Sequence, residues 1–139
     1  MRCRSGVIDL PLRLTITLFI IALSLPIADA ALQHQQQEEA VRECRAQAAS
    51  LLDVATLVFH QGEGSTRIFR VDIPQSTSIV VLEGALLLEY EGRNAGMVKV
   101  GTPSFLLVTE SPMTLTDGDM IRLSSIRVDG SPAVGVCPA

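Results

Sequence analysis

Leu14–Ala28, LTITLFIIALSLPIA, is the most apolar run in the chain and the one whose role decides the architecture. It carries no charge, and its only hydroxyls are on Thr15, Thr17 and Ser24. On its N-terminal side the apolar character extends back to Val7, interrupted by Asp9 and Arg13. Those two lie at i,i+4 and can pair on a helix. Pro11 sits near the expected helix start, where a missing N–H costs little. Pro26 lies inside the run and is expected to kink or end the helix. From Val7 to Ala28 a helix is about 33 Å long, enough to cross a bilayer, whereas Leu14–Ala28 alone is short for that. Arg2, Arg4 and Arg13 precede or open the run, while Asp29, Glu38 and Glu39 follow it. Basic residues ahead of an apolar segment hold that end in the cytoplasm, which places the C-terminal part outside.

Working forward, residues 31–61 read as a second helical stretch. Its start is polar, with Gln33 and Gln35, Gln36 and Gln37. Val41, Cys44, Ala48, Leu51, Ala55 and Val58 then recur at steps of three and four, an amphipathic stripe expected to pack against the rest of its own domain. The stripe is too short for an independent coiled coil. It broadens at Leu57, Val58 and Phe59, so deeper packing is expected there. Gly62 and Gly64 stop the helix.

Beyond Gly64 the period changes to two. Arg67–Ile73 reads as a strand ended by Pro74, with Arg67, Phe69, Val71 and Ile73 on one face. Further strands are expected at Ser78–Leu82, Ala85–Glu91, Met97–Val100, Ser104–Thr109, Met113–Thr116, Met120–Val128 and Ala133–Cys137. Gly84, Gly92, Gly101, Pro103, Pro112, Asp117-Gly118 and Gly130 punctuate them. Frequent turn signals of this kind indicate an antiparallel sheet or sandwich. The expected class is therefore α+β: a long hydrophobic-then-amphipathic N-terminal helix packed on a C-terminal antiparallel β-sheet or sandwich. The segments are a basic leader 1–6, an apolar helix 7–30, an amphipathic helix 31–61 and a β-rich domain 62–139.

Composition restricts the function classes. The 139 residues suffice for one domain plus an anchor, and the net charge of −4 offers no basic surface for nucleic acid. The three cysteines are Cys3, Cys44 and Cys137. Cys3 falls on the cytoplasmic side, and the other two lie where an oxidising compartment permits a bridge. A Cys44–Cys137 disulfide is expected, fastening the last strand to the helix and stabilising by roughly 4 kcal/mol in the chain-entropy view. A β domain this small gains from such a staple. Without a Cys-x-x-Cys pair, a zinc knuckle is not indicated.

Catalytic and ligand-binding patterns are equally sparse. His34 and His60 stand at opposite ends of the expected helix, too far apart to share a metal, and His60 suits the helix C-terminus. Ser111 and Ser124 have no evident His–Asp partners. Asp117-Gly118-Asp119 lacks the ligand count of a calcium loop and reads as a turn. Gly62-Glu63-Gly64-Ser65 lacks the Lys-Ser/Thr ending of a phosphate loop and follows a helix instead of a strand. Glu83, Glu89, Glu91 and Glu110 read as solvated strand-edge charges. Asn94, the only asparagine, is followed by Ala-Gly and makes no glycosylation sequon. The expectation is a non-enzyme without cofactor or metal.

Two borders of the apolar segment compete as processing points. Ala28-Asp29-Ala30 has the small-x-small form of a secretory cleavage site, with the cut between Ala30 and Ala31, which releases a small β-rich binding module. The other border is Gly6-Val7. A short basic leader ending in Gly6, an apolar helix, an amphipathic continuation and a small β domain together resemble type IV pilin-like proteins, and specifically archaeal archaellin-like and pilin-like proteins with class III signal peptides. Gly62 to Arg67, leading through Val71 to Ile73-Pro74, also resembles the helix-to-sheet junction of such proteins. That resemblance implies cleavage between Gly6 and Val7 by a prepilin peptidase, with the apolar helix kept in the mature chain. It further implies partners in the membrane, in other pilin-like subunits and in an assembly machinery, and a cell-surface location. Two positions depart from the family pattern: Pro11 stands where many type IV pilins carry a glutamate, and Arg13 lies within the apolar helix. An uncleaved single-pass anchor is the third possibility.

Overall fold

The computed structural model describes residues 5–101 and 105–139, with side chains from Asp9 onward. Leader residues 1–4, Cys3 included, and the expected Pro103 turn and Ser104 strand start lie outside the described residues. One helix, α1 (Ser5–Gln61), is followed by eight strands: β1 (Thr66–Arg70), β2 (Thr77–Leu82), β3 (Ala85–Tyr90), β4 (Arg93–Lys99), β5 (Leu106–Val108), β6 (Met113–Leu115), β7 (Met120–Val128) and β8 (Ser131–Pro138). Each strand overlaps one expected from the period-two patterning. Contacts divide the chain into two units, one up to Gln36 and the other Gln37–Ala139.

In the first unit, every described side chain is exposed. Helix hydrogen bonding continues past both Pro11 and Pro26, so Pro26 does not end α1. The polar side chains inside the apolar run bond back onto the helix. Thr15 donates to the Pro11 carbonyl at 2.7 Å, Thr17 to that of Arg13 at 2.8 Å and Ser24 to that of Ile20 at 2.6 Å. Back-bonding of this kind removes the hydroxyls' need for water and makes them compatible with hydrocarbon surroundings. Arg13 and Asp9 form the expected i,i+4 ion pair at 3.2 Å.

In the second unit, the remainder of α1 packs on two four-stranded sheets, ordered β1-β7-β8-β5 and β4-β3-β2-β6. Cys44, Ala48, Leu51, Leu52, Ala55 and Val58 of α1 are buried. They join Ile79, Val81, Leu86, Leu88 and Leu115 of one sheet and Leu107, Ile121, Leu123, Val134 and Val136 of the other in one core. The expected stripe from Cys44 to Val58 is thus the buried face, while Val41 at its start is half-buried and Leu57, in the region expected to pack more deeply, remains 45% exposed. Val71 and Ile73 are buried and Phe69 half-buried on the face predicted for them, while Arg67 is exposed at the sheet edge.

Local chemistry explains the connections. Gly62, at φ 88°, takes the left-handed conformation that terminates α1 just after His60 in its last turn. Glu91-Gly92 and Asp129-Gly130 both have two successive positive φ values, the signature of type I′ turns whose twist suits tight hairpins. They join β3 to β4 and β7 to β8. Asp117 and Asp119 occupy the β6–β7 turn as hydrogen-bond acceptors. Asp119 Oδ2 accepts from the Thr116 N–H at 2.7 Å and its hydroxyl at 3.0 Å, and Asp117 Oδ1 accepts from the Ile73 N–H at 3.3 Å.

One pairing departs from the antiparallel expectation: β5 runs parallel to β8, while the other five pairings among the described residues are antiparallel. Parallel neighbours need a long crossover. The chain between β5 and β8 supplies it, running through β6 in the other sheet and then β7.

Candidate functional site

Three features carry functional information: the apolar part of α1, the two cysteines beyond it, and the outward surface of the β1-β7-β8-β5 sheet. In the first, Leu10, Leu12, Leu14, Ile16 and Leu18 alternate with exposed neighbours on every side of the helix, and the pattern continues to Ile27. A helix apolar all round needs hydrocarbon or other helices around it. By length and composition, α1 is long and apolar enough to cross a membrane. Gly6 and Val7 lie in its first turns, and Ala30 and Ala31 lie well inside it.

The expected Cys44–Cys137 disulfide is not formed; both thiols are free. The reason is their placement. Cys44 faces the core from α1, with its Sγ 3.9 Å from the Ser78 carbonyl oxygen on β2. Cys137 lies on β8, in the other sheet, paired with Arg122 of β7. The periodicity put Cys44 correctly on the buried stripe but held no information on which sheet that position meets. Burial raises the Cys44 thiol pKa above its ordinary 9.0, with hydrogen bonding from the Thr77 side chain acting in the opposite direction.

The outward face of the β1-β7-β8-β5 sheet has no signature in the linear sequence. Inward residues Ile121 and Leu123 alternate with exposed Met120 and Arg122 along β7. Cross-strand pairing sets Ile68 and Cys137 on either side of Arg122, and Arg70 beside Met120. Ile68 is 60% exposed, Met120 52% and Leu106, on β5, 49%. The strands of this sheet contain Arg67, Arg70, Arg122 and Arg127 and no acidic residue. Arg127 pairs with Glu63 at 3.2 Å. Arg70 and Arg122 have no ion pair among the described residues.

The open grooves among the described residues of the second unit include two large ones. One, of about 440 Å³, is lined by Glu43, Ala46, Gln47, Asp72, Ile73 and Pro74. The other, of about 380 Å³, has the apolar walls of Phe59, Val100, Phe105, Leu106 and Pro132. Phe59 and Phe105 stack there with centroids 5.1 Å apart. Among the described residues, no group of three or more His, Cys, Asp or Glu side chains is placed to hold a metal ion. His60 packs edge-on against Phe59 at 5.7 Å.

Comparisons with protein-family models, with curated proteins and with solved structures found no match.

Proposed function

We propose that this chain is a pilin-like, membrane-associated structural protein of the cell surface, a minor subunit of a type IV pilus-like appendage. The observation that carries this reading is the dual use of α1. Its N-terminal part exposes apolar side chains on all sides, and its C-terminal part supplies Cys44, Ala48, Leu51, Ala55 and Val58 to the core of the β unit. A helix built this way is an integral folding element that also carries a lipid- or helix-seeking segment. Its apolar part is stable in a bilayer, or among equivalent helices in a filament core, because back-bonded hydroxyls and the Asp9–Arg13 pair lower the cost of its polar groups. The basic leader orients the β unit outward. Its role is to present surface for assembly and envelope association, with no catalytic step.

The mature N-terminus tests this. Intact-mass and N-terminal peptide analysis of the exported protein should find a start at Val7 and a chain retained with the membrane or with sheared surface filaments. A start at Ala31 would overturn the reading in favour of a secreted binding module. An uncleaved chain in the membrane fraction would overturn it in favour of a simple anchored protein.

A further inference from the structure

We infer that the arginine-bearing face of the β1-β7-β8-β5 sheet docks into the Glu43–Asp72 groove of a second copy of this chain. This rests on the subunit reading above and names the contact through which copies meet.

The face and the groove are complementary in charge. The face combines exposed Ile68 and Met120 with Arg70 and Arg122, and its four strands hold no acid. The pairing of Ile68 with Arg122 and of Arg70 with Met120 makes the two arginines diagonal neighbours on that face. Two such faces cannot pack on each other without opposing like charges at close range. The groove has the opposite character. Its lining holds Glu43 and Asp72 with no basic residue, and Ile73 and Pro74 add apolar surface. Glu39 stands one turn before Glu43 on the same side of α1. None of Glu39, Glu43 and Asp72 has an ion pair among the described residues.

A surface that is both apolar and cationic would also suit an anionic membrane. A lipid surface, however, would satisfy the arginines while leaving the acidic groove unmatched. A second copy satisfies both in a single contact and covers Ile68 and Met120 as well.

Cys137 provides a native probe, because it lies directly across from Arg122 on the docking face. Two full-length proteins of different tag length are reconstituted together in phosphatidylcholine vesicles. One is Cys3→Ser and keeps Cys137. The other is Cys3→Ser, Cys137→Ser and Ala46→Cys, with its new thiol in the groove. Mild oxidation with diamide should join the two proteins in a covalent heterodimer on a non-reducing gel. The heterodimer should be lost when the first protein carries Arg70→Glu and Arg122→Glu, and restored when the second then also carries Glu43→Arg and Asp72→Arg. Restoration by paired reversal separates docking from misfolding of either variant. Homodimers of the first protein through Cys137 in place of heterodimers would overturn the contact. Protection of Cys137 from maleimide only in vesicles containing phosphatidylserine, without a heterodimer, would assign the face to lipid and overturn it too. A start at Val7 with no heterodimer would refute the docking while leaving the subunit reading intact.

Discussion

Leu51 and Leu57 offer a controlled comparison, since they are the same residue type on the same helix in opposite surroundings. Leu51 is fully buried at 0% exposure, in the core formed by α1 and both sheets, whereas Leu57 is 45% exposed. Leu51→Ala removes buried methyl groups and leaves a cavity that the surrounding strands fill only in part, which costs about 3 kcal/mol. That corresponds to roughly a 150-fold shift in the unfolding equilibrium, a large share of the ~5–15 kcal/mol that stabilises a typical domain. Leu57→Ala should cost about 0.5 kcal/mol or less, in keeping with surface substitutions. The assay is urea unfolding of the detergent-solubilised full chain. Tyr90 fluorescence is one probe, aided by the absence of tryptophan and of any other tyrosine. The second probe is thiol labelling of Cys44, in a Cys3→Ser, Cys137→Ser background. Burial shields Cys44 in the folded protein, so both probes should report the same transition. Equal midpoints for the two alanine variants would refute the placement of the α1 stripe in the core.

The remaining predictions follow from local features. The Cys44 thiol, with its pKa raised by burial, stays protonated in the folded chain where the unfolded chain ionises. Its contribution to stability is therefore complete below 9.0 and is lost as the pH rises towards the raised folded value; Cys44→Ala should flatten that fall in urea midpoints measured across the alkaline range. Gly130→Ala forces a side chain onto a φ of 80° in the β7–β8 turn and should cost about 1–2 kcal/mol, while Gly101→Ala, with no atom within 4 Å of an added Cβ, should stay within about 0.5 kcal/mol by the same unfolding assay. Asp119→Ala removes the acceptor for both Thr116 donors and should cost about 1–2 kcal/mol. Calcium at about 1 mM should leave the wild-type unfolding midpoint unchanged, because the turn spends these carboxylates on protein donors.

Much of the molecule is legible from particular residues. The buried stripe follows from the three-and-four spacing of Cys44, Ala48, Leu51, Ala55 and Val58, since a helix has only one face to turn inward. The existence of the strands follows from alternation between glycine and proline punctuation, and Met120–Val128 matches β7 residue for residue, whereas β1 stops at Arg70 short of the expected Ile73 and β4 begins at Arg93, ahead of the expected Met97. Leu57 misleads because composition near the helix end counts apolar residues without their angular position. Pro26 does not end the helix because a proline removes one hydrogen bond, while the surrounding turns keep theirs. The face bearing Arg70 and Arg122 is invisible in the linear pattern. Its members come from strands far apart in the chain and meet only through the β1–β7–β8 register.

The sequence by itself determines that this protein joins an apolar helix, an amphipathic continuation and a β-rich unit. Periodicity and turn chemistry act over a few residues and are written locally. Which side chains become neighbours was left to the tertiary structure. The order β1-β7-β8-β5, the parallel β5–β8 pair and the separation of Cys44 from Cys137 all depend on strands crossing between two sheets. Long-range pairing is set by how the whole apolar surface is best buried, and that is a property of the assembled core.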